Sequence, residues 1–377
     1  MPFPGAGLTK GKASRRHAFS AVVVASIRGR LWVPDRKNRP KKCMSEPNLP
    51  IPSSTLEYYH ALSTPVGPRP GERYWLHGLL LVATCFTTLV VGARMEFNFL
   101  HSLPPFAAGD EWLPFFPLGW VVAQPSRLLL GIPFSATLLL ILLAHELGHY
   151  FLCRHYGVRA TLPFFIPAPT LIGTLGAVIR VKAPIRSRVA LFDIGIAGPI
   201  VGFIVAVVTL AFAMSLSKPL TPGMGPSDLQ LGFPAIFYVM HDLLHGVAPH
   251  HAVATLPLSR VYLHPTAVAA WVGMFATALN LLPSSQLDGG HIVYALAPRA
   301  HRVISWITVI VLVYLGRIYV GWRVWAGLII VMNVMTYRQR QAPEFPILPA
   351  NRWALALLAI VMLVLTFTIS PFQMTWR

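Results

Sequence analysis

Acidic side chains are scarce in this sequence. Thirteen Asp and Glu stand against 31 Lys and Arg in 377 residues, and charged residues of both signs make up only 12%. Soluble domains carry about 25%, so a soluble globular chain is excluded. Cysteine is nearly absent: Cys43, Cys85 and Cys153 have no paired spacing, which excludes a disulfide framework and a zinc ribbon. Residues 1–43 hold eleven Lys/Arg against the single acid Asp35, without the long apolar region and small-residue cleavage site of a secretory signal. What the chain has in quantity is apolar surface, with 55% hydrophobic residues and a mean hydropathy of +0.59. That composition defines an integral membrane protein. The net charge of +18 lies largely in the basic tail and in short loops between apolar segments, so it orients the chain against membrane lipids and implies no nucleic acid.

The chain divides into a basic tail and Pro/Ser-rich linker over 1–73, a core over 74–300 and C-terminal helices over 301–377. Met44 opens a chemically distinct stretch and is a candidate translation start. Apolar spans are expected at about Tyr74–Val91, Leu128–Leu152, Val189–Leu216 and Pro265–Leu282, then Val303–Val320, Trp322–Thr336 and Trp353–Ser370. The segment 94–124, rich in Phe, Pro and Trp, reads as re-entrant or interfacial. Six Lys/Arg between Arg154 and Arg188 place that loop inside, whereas 217–260 carries only Lys218 and Arg260 and falls outside. The expected architecture is an all-α polytopic membrane protein of about six to seven transmembrane helices.

One stretch carries chemistry. Ala144-His145-Glu146-Leu147-Gly148-His149 lies near the end of the second span. Residues four apart share a helix face, so His145 and His149 can offer two imidazoles to one ion, with Glu146 beside a water on that ion. This is the His-Glu-x-x-His pattern of zinc hydrolases. Ionisable groups inside an apolar span are costly and read as functional.

A catalytic zinc takes three protein ligands and keeps one open position. His155 has the spacing of an extended three-histidine motif, but Leu152 stands where that motif needs glycine. Cys153 would share the His145/His149 face, and a third ligand stacked on one helix closes a tetrahedron poorly. His291 lies one turn beyond Asp288. Asp288 is preferred: it ends the fourth span in a Gly-Gly turn that lets backbone approach closely. A helix N-cap or a plain turn residue is the alternative for this aspartate. The positive-inside path brings both motifs to the cytosolic ends of antiparallel spans, which supports one shared site. A second histidine pair, His241 and His245, maps to the opposite side, and Asp242 is too short for a base there.

With these residues in view, the sequence resembles the site-2 protease family of intramembrane zinc metalloproteases. His145-Glu146-x-x-His149 in one span and Asn280-x-x-Pro283-x-x-x-Leu287-Asp288-Gly289 in a later one carry the resemblance, over roughly 74–300. The stretches 162–177 and 191–199 look most like the branch of chloroplast gravitropism-linked proteases and bacterial relatives, and no stretch has the composition of a PDZ domain. The resemblance implies that His145, His149 and Asp288 bind one zinc, that Glu146 is the general base and that Asn280 holds substrate or stabilises the oxyanion. It also implies a membrane-dipping β segment around Gly173, Thr174 and Gly176, able to pair with unwound substrate. The implied substrate is a membrane protein with an unwindable transmembrane segment. The implied location is a bacterial inner membrane, or a chloroplast membrane, with the site toward the cytosol. A metal-ion transporter and an inactive membrane scaffold are the rival readings.

Overall fold

The computed structural model describes residues 73–106, 115–182, 185, 187–221, 227, 229–336 and 348–374. The basic tail, Met44 and most of the linker lie outside the described residues. Helix α1 (Tyr74–Leu100) is followed by the short α2 (Leu118–Val122) and a 3-10 turn, Pro125–Gly131. That turn leads directly into α3 (Ile132–His155). Strands β1 (Phe164–Pro167) and β2 (Thr174–Val178) form an antiparallel hairpin with an irregularity between Phe165 and Pro167. Helix α4 (Arg188–Leu216) follows, started by Ser187, whose hydroxyl accepts the Ala190 N–H, and carrying Pro199 in its interior. Beyond it come β3 (Lys218–Pro219), β4 (Leu229–Leu231), the amphipathic α5 (Ala235–Val247) and β5 (Val261–Tyr262). Helices α6 (Pro265–Asn280), α7 (Asp288–Leu296), α8 (Pro298–Leu315), α9 (Gly321–Thr336) and α10 (Arg352–Thr366) and strand β6 (Phe372–Met374) complete the chain.

Among the described residues, four helical segments are long and apolar enough to cross a membrane: Tyr74–Leu100, Pro125–His155, Arg188–Leu216 and Pro298–Leu315. Gly321–Met335 and Arg352–Thr366 are shorter apolar helices. The first span outruns its expected end at Val91. Glu96 lies buried on α1 with its carboxyl 3.6 Å from His264 Nε2, so an acid that would stop an isolated span is enclosed by the fold. The expected fourth span is a helix of 16 residues, about 24 Å long. Ala267, Ala269, Ala270, Trp271, Met274 and Ala278 on it are sealed from solvent, which makes α6 the central post of the bundle. Helices α3 and α4 pack on each other and on α6, while α1 flanks α3 and the β1–β2 hairpin.

The bundle has two distinct ends. At one end, the Lys218 ammonium reaches the Phe99 carbonyl and, at 3.1 Å, Ser102 Oγ. Strand β3 pairs with β5, and Tyr262 donates to the Leu103 carbonyl at 2.8 Å. Strand β4 pairs with β6 at the same end, where His251 Nε2 meets the Ser215 carbonyl. At the other end, Asp193 on α4 accepts two bonds from Arg352 on α10, at 2.9 and 3.3 Å, and one from the Tyr156 hydroxyl just past α3. The β3–β5 and β4–β6 pairs are additions to the expected all-α plan.

Candidate metal centre

The end of the bundle that holds Asp193 also holds the histidine motif. His145, Glu146 and His149 are buried in the last turns of α3. The two imidazoles meet edge to face, and their Nε2 atoms lie 3.1 Å apart. Asp288, the first residue of α7, brings Oδ2 to 3.2 Å from His145 Nε2 and 3.3 Å from His149 Nε2. A tetrahedral zinc with bonds of about 2.0–2.1 Å spaces its ligands about 3.3 Å apart. The three donor atoms therefore match one face of such a tetrahedron. Among the described residues this is the one His/Cys/Asp/Glu group compact enough to hold a metal ion.

The donors are oriented from α4. His149 Nδ1 donates to the Ile194 carbonyl at 2.7 Å, which leaves Nε2 as a lone pair toward the centre. Pro199 removes one N–H from the adjoining turn of α4 and so loosens its hydrogen-bond ladder there. Glycine permits the close approach: a Cβ on residue 198 would fall 2.1 Å from His149 Nε2, and one on residue 202 would lie 3.1 Å from His145 Nδ1. Gly148 answers from α3, where a Cβ would sit 2.6 Å from the Ala197 carbonyl. Small residues between Gly195 and Pro199 permit this close helix approach. Sequence reasoning missed the particular match of Gly198 to His149 and Gly202 to His145. Two glycines four apart in the antiparallel span, mirroring two histidines four apart, are the signal that could have revealed it.

Around the donors, Asn280 at the end of α6 places Nδ2 3.3 Å from His145 Nε2. The Glu146 carboxylate faces the backbone N–H of Ile179, one residue past β2. The β1–β2 hairpin lies along α1. His77 near the start of α1 bonds the Pro163 carbonyl at 3.1 Å, and Thr87 Oγ1 donates to the Gly173 carbonyl at 2.6 Å. The hairpin turn is thus level with the middle of α1, about 20 Å along that helix from Tyr74. Gly173 holds φ +81 where a Cβ would meet the Thr87 carbonyl at 2.7 Å; Gly176 holds φ +100 with open space beside it. Thr174 bonds the Ile166 carbonyl across the hairpin at 2.8 Å, and Leu175 projects outward, 70% exposed.

The other candidate ligands are placed elsewhere. His155 is exposed at the end of α3, and Cys153 packs against Ala190 and Ile194. His291 faces Gly195, apart from the three-donor cluster. His241 bonds the Val253 carbonyl at 3.1 Å on α5, in the segment joined to the far end of the bundle.

Fold and site together define a helical membrane protein with a buried His-His-Asp cluster, compact enough to hold a metal ion, on a His-Glu-x-x-His helix. Residues 133–318 match the sequence model of peptidase family M50. These residues form a peptidase M50 domain, that of the site-2 proteases. It is 28% identical over 318 residues to the probable chloroplastic zinc metalloprotease EGY1 of Arabidopsis thaliana, covering 81% of this chain and 54% of that relative. The corresponding EGY1 protein of Oryza sativa subsp. japonica is 30% identical over 233 residues, covering 59% of this chain and 38% of the relative. The probable chloroplastic zinc metalloprotease EGY2 of Arabidopsis thaliana is 30% identical over 168 residues, covering 44% and 29%. The chain spans about half or less of the length of these relatives.

Proposed function

We propose that this chain is a zinc-dependent intramembrane endopeptidase that hydrolyses peptide bonds in or near transmembrane segments of membrane-anchored proteins. The observation that carries the reading is the triangle of His145, His149 and Asp288 donors with Glu146 beside it, inside a membrane bundle. His145, His149 and Asp288 would hold one zinc ion. Bound there, zinc supplies a Lewis acid that activates water at neutral pH and polarises a peptide carbonyl. Glu146 takes a proton from the attacking water and passes it to the leaving nitrogen. Asn280, next to His145, is placed to donate to the substrate carbonyl as negative charge develops on it.

A transmembrane helix hides its peptide bonds in its own hydrogen bonds, so the substrate must unwind before it is cut. The free edge of β2 offers such a segment a strand to pair with, and Gly173, Thr174 and Gly176 shape that edge. Because Ile179 faces Glu146, a strand laid along β2 is led toward the base. The basic loop 154–188 supports a cytosolic orientation of this end. Added to the four long spans, the shorter helices α6, α9 and α10 would bring the total to six or seven crossings of a bacterial inner membrane or a chloroplast membrane.

Zinc content and cleavage of a membrane-anchored reporter, measured together on detergent-purified protein, test the reading. Wild type is expected to hold about one zinc and to cut. Glu146→Gln should keep the metal and lose cleavage, and Asp288→Ala should lose both. Wild-type zinc content in Asp288→Ala would overturn the ligand assignment. A Glu146→Gln protein that alters metal flux, in a chain with no cleavage, would favour the transporter.

A further inference from the structure

We propose that Ser305 is a positioning residue for Asp288, acting through the loop that precedes it. This rests on the zinc reading above, since Asp288 is one of the proposed ligands. Asp288 opens α7, and the residue before it, Leu287, supplies no side-chain cap. The position of the carboxylate then depends on residues 281–287 together with the packing of α7 against α4. That loop folds tightly onto the two glycines after Asp288. A Cβ on Gly289 would come 2.1 Å from the Leu281 carbonyl oxygen, and one on Gly290 would come 2.5 Å from that of Ser285. Ser285 holds φ +51, a left-handed conformation that a residue with a side chain keeps only where its surroundings dictate it.

Ser305 provides those surroundings from α8. Its Oγ accepts the Ser285 N–H at 3.1 Å and meets Ser284 Oγ at 2.6 Å. It donates its own proton to Asn333 Oδ1 on α9 at 2.8 Å. With that proton committed to Asn333, its lone pairs are turned to the two loop donors. Ser284, Ser285 and Ser305 are all sealed from solvent, next to an apolar cluster that includes Leu279, Leu282, Leu312 and Trp322. Bonds in such surroundings have no water to replace them. A hydroxyl that merely glued two helices would not reach a strained backbone N–H three residues from a metal ligand. Asn333 lies beyond the segment 133–318 that matches the family, so part of this support comes from outside it.

The test follows transfer of zinc from the purified full chain in detergent to a colorimetric chelator. Wild type is compared with Ser305→Ala, Asn333→Leu and Trp322→Phe. Trp322 shares α9 with Asn333 but donates to the Ile369 carbonyl, so its variant weakens that helix while leaving the hydrogen bonds to the loop in place. Ser305→Ala is expected to release zinc about tenfold faster, the lower end of what lost outer support costs a metal site. Asn333→Leu should move in the same direction by less. Trp322→Phe should melt lower yet release zinc at the wild-type rate. Wild-type release from Ser305→Ala, or from Asn333→Leu where the first variant does not fold, overturns the proposal and leaves the zinc reading intact. Equal acceleration in Trp322→Phe overturns it too. A wild-type chain that takes up no zinc overturns both.

Discussion

Gly198 limits how His149 can be held. The imidazole lies against the bare Cα of Gly198, and a single methyl group there would overlap Nε2, the atom facing the other donors. The backbone carbonyl of Ile194 fixes the opposite side of the ring, so the ring cannot turn aside without losing that bond. Gly198→Ala is therefore expected to reduce bound zinc well below one per chain and to abolish cleavage. Gly78→Ala, at a position on α1 with open space around it, should leave both unchanged. Zinc content by elemental analysis on the two proteins decides this, and full occupancy in Gly198→Ala would sink it. The cluster of His145, His149 and Asp288 was legible in the sequence because chemistry fixes the residue types and helical geometry fixes the histidine spacing. Gly198 carries no chemistry of its own, and its role exists only once the partner helix is in place.

Helix ends are tied by polar contacts that hydropathy does not reveal. Asp193 was visible as an acid in an apolar span, but its partners Arg352 and Tyr156 come from distant parts of the chain. The clamp joins α3, α4 and α10 beside Ile194, the residue that orients His149. Removing the cation leaves a largely buried carboxylate without its partner, so Arg352→Ala should destabilise the fold by about 3 kcal/mol. Adding Asp193→Asn to it should restore part of that loss, which a double-variant cycle of melting in detergent would reveal. Additive losses would show that the two side chains are energetically separate. Burial, reinforced by the bond to Asp193, pushes the Tyr156 phenol up to about 12. Its folded value lies above the ordinary value of 10.0, so its contribution is complete below pH 10 and is lost as pH rises through about 12. Tyr156→Phe should flatten that part of the stability profile. The two- and three-residue strands β3, β4, β5 and β6 were unreadable for another reason: they are too short for alternation to appear.

Across the whole molecule, charge and contacts agree on which segments share an end. Ser215 and Ile194 sit 21 residues apart on α4, about 30 Å. The segment joined to Ser215, with α5 and its histidines, is therefore far from the metal centre. Membrane spans were legible from hydropathy where helices face outward, as on α1, α3 and α4. The sequence shows central α6 as an apolar segment but not its enclosure by the other helices, because an alanine-rich helix inside a bundle and one in lipid have the same composition. Cysteines placed at Arg159 and Gly246, with the native three replaced by serine, should react with an impermeant maleimide from opposite faces of sealed vesicles. The cytosolic face is expected for position 159. Labelling of both from one face would break the two-ended arrangement.

Strand β6 has a consequence for how the protein comes into being. It pairs with β4, the Gly232 N–H bonds the Pro371 carbonyl, and the Trp271 indole of the central helix reaches the Gly232 carbonyl. During synthesis, every residue of the metal centre has left the ribosome well before residues 372–374 emerge. The loop around Gly232 thus waits, half-assembled, for a partner that is made later. Assembly thus has a late step at the end opposite the histidine cluster, and translation order as well as packing governs when the bundle closes there.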